Sequence, residues 1–271
     1  MERYDSTTGT WVGYVQIPTL SHNVDTTFYL LYGNAKITSQ QANASQVWDG
    51  SNTGVYHFEG PPLSVADSTS YSHSALKTNL SYTSAGLVGG AASGINAGAF
   101  LPATLLDQLS GTFEIWLSTT RLQDKSHSWT MLSQAGPTKD DYFRLGWSAA
   151  DNAFEAVWSS SKNGASRLAF NAAQAPIASK GWAHVAYTWN SGTNLQSLYL
   201  NGVLLGSSSQ TLPVISSGNA IALGSNTQAS FNGLLDETRF SDVVQSSDWI
   251  AAEYRNQISL RKFVSVGTDG Q

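Results

Sequence analysis

The chain of 271 residues contains no cysteine, which excludes a disulfide scaffold and thiolate metal sites. Charge is scarce as well. Asp, Glu, Lys and Arg make up 12% of the residues, about half the share usual in globular domains. The formal net charge is −5, from 19 acidic and 14 basic residues, and Lys and Arg form no block anywhere. Nucleic acid and anionic membranes both require a basic footprint, so neither is expected as a partner. No apolar run approaches the roughly 20 residues that cross a bilayer, so no membrane insertion is expected of this segment. Met1-Glu2-Arg3-Tyr4-Asp5 lacks the basic start and apolar stretch of a secretory leader.

Serine, threonine, glycine and asparagine are plentiful, with nine Trp and eleven Tyr. The segment from Gly181 to Gly206 writes out three antiparallel strands with their turns. Trp182 to Trp189 reads as a strand, Ser191-Gly192-Thr193-Asn194 as a turn and Leu195 to Leu200 as the returning strand. Asn201-Gly202 then closes a two-residue hairpin, because both residues tolerate the positive φ that a type I′ turn demands. Gly111 to Ser118 alternates, with Phe113, Ile115 and Leu117 on one face and Thr112, Glu114 and Trp116 on the other. Further strands are predicted at Trp11–Pro18, Thr26–Asn34, Gly54–Glu59, Trp129–Leu132, Tyr142–Trp147, Phe154–Trp158 and Ala220–Leu223. Ser246 to Tyr254 reads as a short helix, with a serine or aspartate cap and Ile250 and Tyr254 on one face.

The pattern Trp182-x-His184-Val185-Ala186-x-Thr188-Trp189, followed by Leu198-Tyr199-Leu200-Asn201-Gly202, resembles the central strands of laminin-G-like, concanavalin A-type jelly rolls. Phe231 to Phe240, FNGLLDETRF, is similar to the closing strand of that family. Trp11 to Pro18, the run Phe28 to Asn34 and Val47-Trp48-Asp49 resemble an uncharacterised bacterial domain found immediately before such jelly rolls in exported proteins. Together they imply an all-β protein: a small N-terminal β-domain (1–53), an antiparallel β-sandwich of jelly-roll type (54–257) with one short helix near its end, and a tail (258–271). Met1 leads directly into what reads as the middle of a domain, so the expectation is a monomeric segment of a larger bacterial protein. Its expected location is extracellular, at the cell surface or in the periplasm.

Glucanases with this type of jelly roll carry carboxylates on alternate residues of one strand, which places an acid and a nucleophile in one groove. No such run occurs, and Asp236 and Glu237, being adjacent, are predicted to point to opposite faces. Histidine spacings typical of metal hydrolases and the Gly-x-Ser-x-Gly elbow are also missing. No catalytic residue is therefore expected. The family resemblance implies a structural calcium ion between a carboxylate of the first strand, Glu59, and Asp236, with Asp67 from the following loop. In the alternative, Asp236 accepts backbone hydrogen bonds and Glu237 pairs with Arg239 or another cation. If Phe143 and Leu145 face inward, Tyr142 and Arg144 face out, as does Glu155 beside Phe154, with Trp158 at the rim of a groove. These four residues are the expected ligand-binding set. The expected function is non-catalytic carbohydrate binding or adhesion, with a glycan or a surface protein as partner. The alternatives are a structural spacer or protein-contact module and, third, a glycan hydrolase with an unrecognised site.

Overall fold

In the computed structural model Asn201 and Gly202 take positive φ, 52° and 75°, and Leu200 pairs with Val203 across them. The two-residue hairpin therefore forms as its chemistry dictates. The described residues are all those of the chain except 1–2, 8, 22, 32–33, 40, 107–108, 122, 179–180, 216–217, 225–228, 230, 260–266 and 268–271. Their strands, in chain order, are β1 (Arg3–Asp5), β2 (Thr10–Val12), β3 (Asn52–Tyr56), β4 (Lys77–Thr78), β5 (Ser81–Thr83), β6 (Ala91–Ile95), β7 (Ala99–Leu101), β8 (Ser110–Thr119) and β9 (Trp129–Ala135). They continue with β10 (Tyr142–Ser148), β11 (Ala153–Ser160), β12 (Gly164–Phe170), β13 (Ala183–Asn190), β14 (Leu195–Leu200), β15 (Val203–Ser208), β16 (Ile221–Leu223) and β17 (Asn232–Ser241).

Two antiparallel sheets face one another. The seven-stranded sheet runs β12-β11-β10-β9-β16-β7-β4. The eight-stranded sheet runs β15-β14-β13-β8-β17-β6-β5, with β3 beside β17. β9 to β12 and β13 to β15 lie side by side in chain order, whereas β8 lies between β13 and β17 and β16 between β9 and β7, and every pairing among the described strands is antiparallel, which is the jelly-roll pattern. The core lies between the sheets, where Phe113, Ile115, Tyr187 and Trp189 meet Phe143, Trp147, Phe154 and Trp158, all fully buried. The alternation of β8 thus sends Phe113, Ile115 and Leu117 inward, as the sequence predicts.

Helix α1 (Ser247–Ile258) covers the outer side of the eight-stranded sheet. Ser246 caps it, its hydroxyl accepting from the Trp249 amide at 3.1 Å. Ile250 packs on Ala186 and Tyr199, and Tyr254 stacks on Trp116, with ring centroids 5.5 Å apart. The Trp116 indole N–H donates to the Gln257 side chain, so this outward-facing tryptophan is buried beneath the helix.

The N-terminal segment differs from expectation. A short hairpin pairs β1 with β2, so the strand predicted at Trp11–Pro18 is confined to its beginning. Among the described residues of Thr26–Asn34 no strand forms, and Phe28, Tyr29, Leu30 and Leu31 are exposed. The physical reason is that among the described residues no neighbouring strand satisfies its backbone or covers its apolar side chains. β3 begins at Asn52, slightly before the predicted boundary of the sandwich. The predicted tail, 258–271, lies almost wholly outside the described residues.

Candidate functional site: the outer face of the seven-stranded sheet

Because side chains alternate along a strand, the register fixes what each sheet shows to solvent. On the seven-stranded sheet one row crosses every strand. It reads Arg167, Val157, Arg144, Ser133, Ala222, Phe100 and Lys77, each the direct partner of the next. Their strand neighbours Leu168, Trp158, Phe143, Leu145, Ile221 and Leu101 all belong to the core, so this row faces outward. Tyr142 stands one step along β10, opposite Ala135 and Ser159. Ser133 and Ala222, both small, form a floor between Tyr142 and Arg144 on one side and Phe100 and Lys77 on the other. From β10 to β7 are three strand spacings, about 14 Å. Phe100 presents a ring that is 44% exposed.

Glu155 organises the β10–β12 side. Its residue is 1% exposed, because it sits between Gly146 and Ala169, whose small side chains let long neighbours close over it. The Arg144 guanidinium donates to one of its carboxylate oxygens and Arg167 Nε donates to the other at 2.5 Å. Arg167 also lies 3.7 Å from the Asp151 carboxylate. Tyr142, Arg144 and Glu155 thus share the outer face, as the alternation predicts. Trp158 does not join them. It is fully buried, and its indole N–H donates to the Tyr187 hydroxyl at 2.7 Å. The same hydroxyl donates to Gln196, whose amide donates to Ser166, so Trp158 is tied into a hydrogen-bonded chain inside the core. The expectation that Trp158 stands at a groove rim is corrected accordingly, since it shares the inward parity of Phe154 and Ala156. Arg167, Phe100 and Lys77 were missed because their place in the row depends on strand order, which a single strand's alternation does not carry.

The carboxylates named for calcium are engaged otherwise. Asp67 accepts the Val55 and Thr69 amides on Oδ1, and the Thr69 hydroxyl and His73 amide on Oδ2, at 2.7 to 2.9 Å. Asp236 accepts the Leu87 and Val88 amides at 2.8 and 3.0 Å and the Glu237 amide at 2.8 Å. N–H groups aimed at these oxygens occupy the lone pairs a cation requires. Glu59 is exposed, and among the described residues no group of three or more metal-ligating side chains comes together. The residues present do not fit a calcium ion.

The other carboxylate of the closing strand sits in a polar cluster on the eight-stranded sheet. β17 pairs with β6 over its first half and with β3 over its second, and a bulge against β8 falls between Asp236 and Arg239. There Glu237 takes φ +46°. Asp236 pairs with Trp116 and Arg239 with Glu114, both on the outer side, so the bulge leaves Glu237 on the same side as Asp236, contrary to the opposite faces predicted for adjacent residues, and it pairs with Arg239 as the alternative reading expects. Glu237 is buried and meets His57 Nδ1 at 2.8 Å, Arg239 at 2.9 Å and the Gln257 amide at 3.4 Å. Burial raises its pKa, but the charges of His57 and Arg239 and hydrogen bonds from His57 and Tyr14 outweigh this and hold it at about 2. Arg239 also pairs with Glu253 of α1, and its guanidinium lies 4.8 Å from the Trp48 ring centroid and 5.6 Å from that of Tyr14. The cluster therefore fastens both the N-terminal segment and the helix to this sheet.

The two-sheet sandwich defines a class of β-proteins that recognise ligands or hydrolyse glycans on one architecture. The family model described as the concanavalin A-like lectin/glucanases superfamily matches residues 93–251, more than half of the 271-residue chain, and the chain belongs to this superfamily. No curated protein matches by sequence. Similar solved structures include domain 4 of AbnA, a GH43 extracellular arabinanase from Geobacillus stearothermophilus, in complex with arabinotriose. That likeness has 20% identity and a TM-score of 0.59, and covers 74% of this chain and 96% of that one. The binding domain of Paraclostridial Mosquitocidal Protein 1 matches with 13% identity and a TM-score of 0.61, over 76% of this chain and 52% of that one. The botulinum neurotoxin serotype G binding domain matches with 14% identity and a TM-score of 0.61, over 77% of this chain and 51% of that one. The chain spans about half the length of the two toxin domains. At these identities the likenesses establish the fold.

Proposed function

We propose that the chain is a non-catalytic carbohydrate-binding or adhesive module of a larger exported protein, binding its glycan on the outer face of the seven-stranded sheet. The observation that carries the reading is the cross-sheet row, in which Tyr142 and Arg144 face Phe100 across the small floor of Ser133 and Ala222. Exposed rings stack on pyranose faces, and a guanidinium supplies forked donors to sugar oxygens. Helix α1 and the N-terminal segment already cover the opposite outer face, which leaves this sheet as the larger surface for a ligand. A hydrolytic reading finds less support, because Glu155 on this face is held between two guanidiniums and the row across the floor, Ser133, Ala222, Phe100 and Lys77, carries no carboxylate. A spacer role gains support from the cluster around Arg239, which fixes the N-terminal segment to the sandwich.

The test is a glycan array with insoluble-polysaccharide pulldown, comparing wild type with Phe100→Ala and Tyr142→Ala. Binding that falls about tenfold or more in either variant, with unchanged melting temperature, supports the module and its face. Absence of binding across a broad panel overturns the reading in favour of a protein-contact or spacer role.

A further inference from the structure

The open face of the seven-stranded sheet holds two guanidiniums on one buried carboxylate, and that ratio is informative. Glu155 is buried, and its two oxygens receive Arg144 from β10 and Arg167 from β12, the strands on either side of its own. One carboxylate neutralises one guanidinium, so the triad keeps a formal surplus of one positive charge. Asp151, 3.7 Å from Arg167, offsets this surplus in the formal count, but both side chains of that pair are about half exposed, so solvent weakens it while the Glu155 carboxylate stays buried. The other charged group in the row is Lys77, which adds a second positive charge at the β4 end. Tyr142, two residues before Arg144 on β10, shares its face of the sheet.

Resting on the glycan-binding reading above, we propose that this face selects acidic oligosaccharides, with a sugar carboxylate received by the Arg144–Arg167 pair. Each guanidinium has five N–H donors and spends only part of the set on Glu155, and Arg167 keeps 43% of its side chain exposed on this face, against 21% for Arg144. A planar carboxylate matches the guanidinium fork, and charge-assisted hydrogen bonds of this kind are about twice as strong as neutral ones. Glu155 also fixes both side chains before ligand arrives, so binding loses less rotamer entropy. A neutral sugar draws on the same donors but gains nothing from the surplus charge.

The experiment compares a galacturonic acid oligomer with a galactose oligomer of equal length by titration calorimetry, at low and at high salt. Wild type is expected to bind the acidic oligomer about tenfold more tightly at low salt, with the advantage shrinking at high salt. Arg167→Gln, which leaves Glu155 paired with Arg144 and keeps an amide donor beside it, is expected to remove the advantage, with a melting temperature lowered by no more than a few degrees because Arg167 is 43% exposed. Glu155→Gln, where it folds, is expected to enlarge the advantage by removing the competing carboxylate. Equal affinity for the two oligomers at both salt concentrations overturns the acidic preference and leaves the glycan-binding face standing. Loss of binding in Phe100→Ala with no change in Arg167→Gln also overturns it, and failure to bind any glycan on a broad array overturns both.

Discussion

Replacing Glu237 by Gln isolates the energetic centre of the eight-stranded sheet. The carboxylate is fully buried and receives His57, Arg239 and Gln257 together. Glutamine keeps one acceptor oxygen, but it removes the charge and turns an N–H group toward at least one donor. Removing one partner of a buried ion pair costs about 3 to 5 kcal/mol, and the surviving Arg239–Glu253 pair argues for the lower end. Proton linkage gives a second route. A carboxyl held at about 2 against an ordinary 4.5 contributes on the order of 3 kcal/mol at neutral pH. Because the folded pKa is depressed, that contribution is complete above the ordinary carboxylate range and is lost as pH falls from about 4.5 toward 2. Urea unfolding followed by tryptophan fluorescence at pH 7, 4 and 3 measures both effects. Glu237→Gln should be less stable by about 3 kcal/mol at pH 7, and the gap to wild type should close on acidification. A gap below about 1 kcal/mol at pH 7, or one that persists unchanged at pH 3, refutes the reasoning.

Two further outcomes follow from the backbone and from the acceptor geometry. Gly233→Ala places a methyl group 2.1 Å from the Ser118 carbonyl oxygen of the neighbouring strand at φ +156°, so a loss above about 2 kcal/mol is expected in thermal melts. Gly50→Ala, with no atom within 4 Å of the new methyl, is the control and should melt near wild type. Chelation is expected to leave the melting temperature unchanged, because Asp67 and Asp236 already accept N–H and O–H donors, and a rise of several degrees on adding calcium would contradict that assignment.

Much of the sandwich was legible because its signals are local. The Asn201-Gly202 hairpin, the serine cap of α1 and the alternation of β8 each rest on chemistry contained within a few residues. The outward direction of Tyr142, Arg144 and Glu155 followed from the same alternation. Trp158 was misplaced although parity with Phe154 already sent it inward, because β11 continues to Ser160 and its end is closed by Tyr187 and Gln196 from the facing sheet. The pairing of Glu237 with Arg239 and the backbone amides on Asp236 were legible as the alternative to calcium, whereas the bulge between Asp236 and Arg239 was not, since it forms where β17 changes partner. The run from Phe28 to Leu31 reads as a strand by composition, yet strand formation needs a neighbour, and composition does not supply one.

Glu155 and Glu237 make the contrast on which the functional assignment turns. Both are buried carboxylates, Glu155 held by two guanidiniums and Glu237 by His57, Arg239 and Gln257. Around Glu237 those partners are themselves covered: Arg239 lies against Trp48 and Tyr14 and pairs with Glu237 and with Glu253 of the helix, so its charge is offset within the protein. Around Glu155 they are not. Arg167 remains 43% exposed at its side chain, and Arg144 borders the small-residue floor that leads toward Phe100. Buried anchoring carboxylates are thus common to both sheets, and what separates the two is the outward fate of the guanidiniums. On the eight-stranded sheet they hold chain segments in place; on the seven-stranded sheet the same chemistry anchors two guanidiniums, one of them 43% exposed, at fixed positions, and the proposed preference for acidic oligosaccharides rests on that difference.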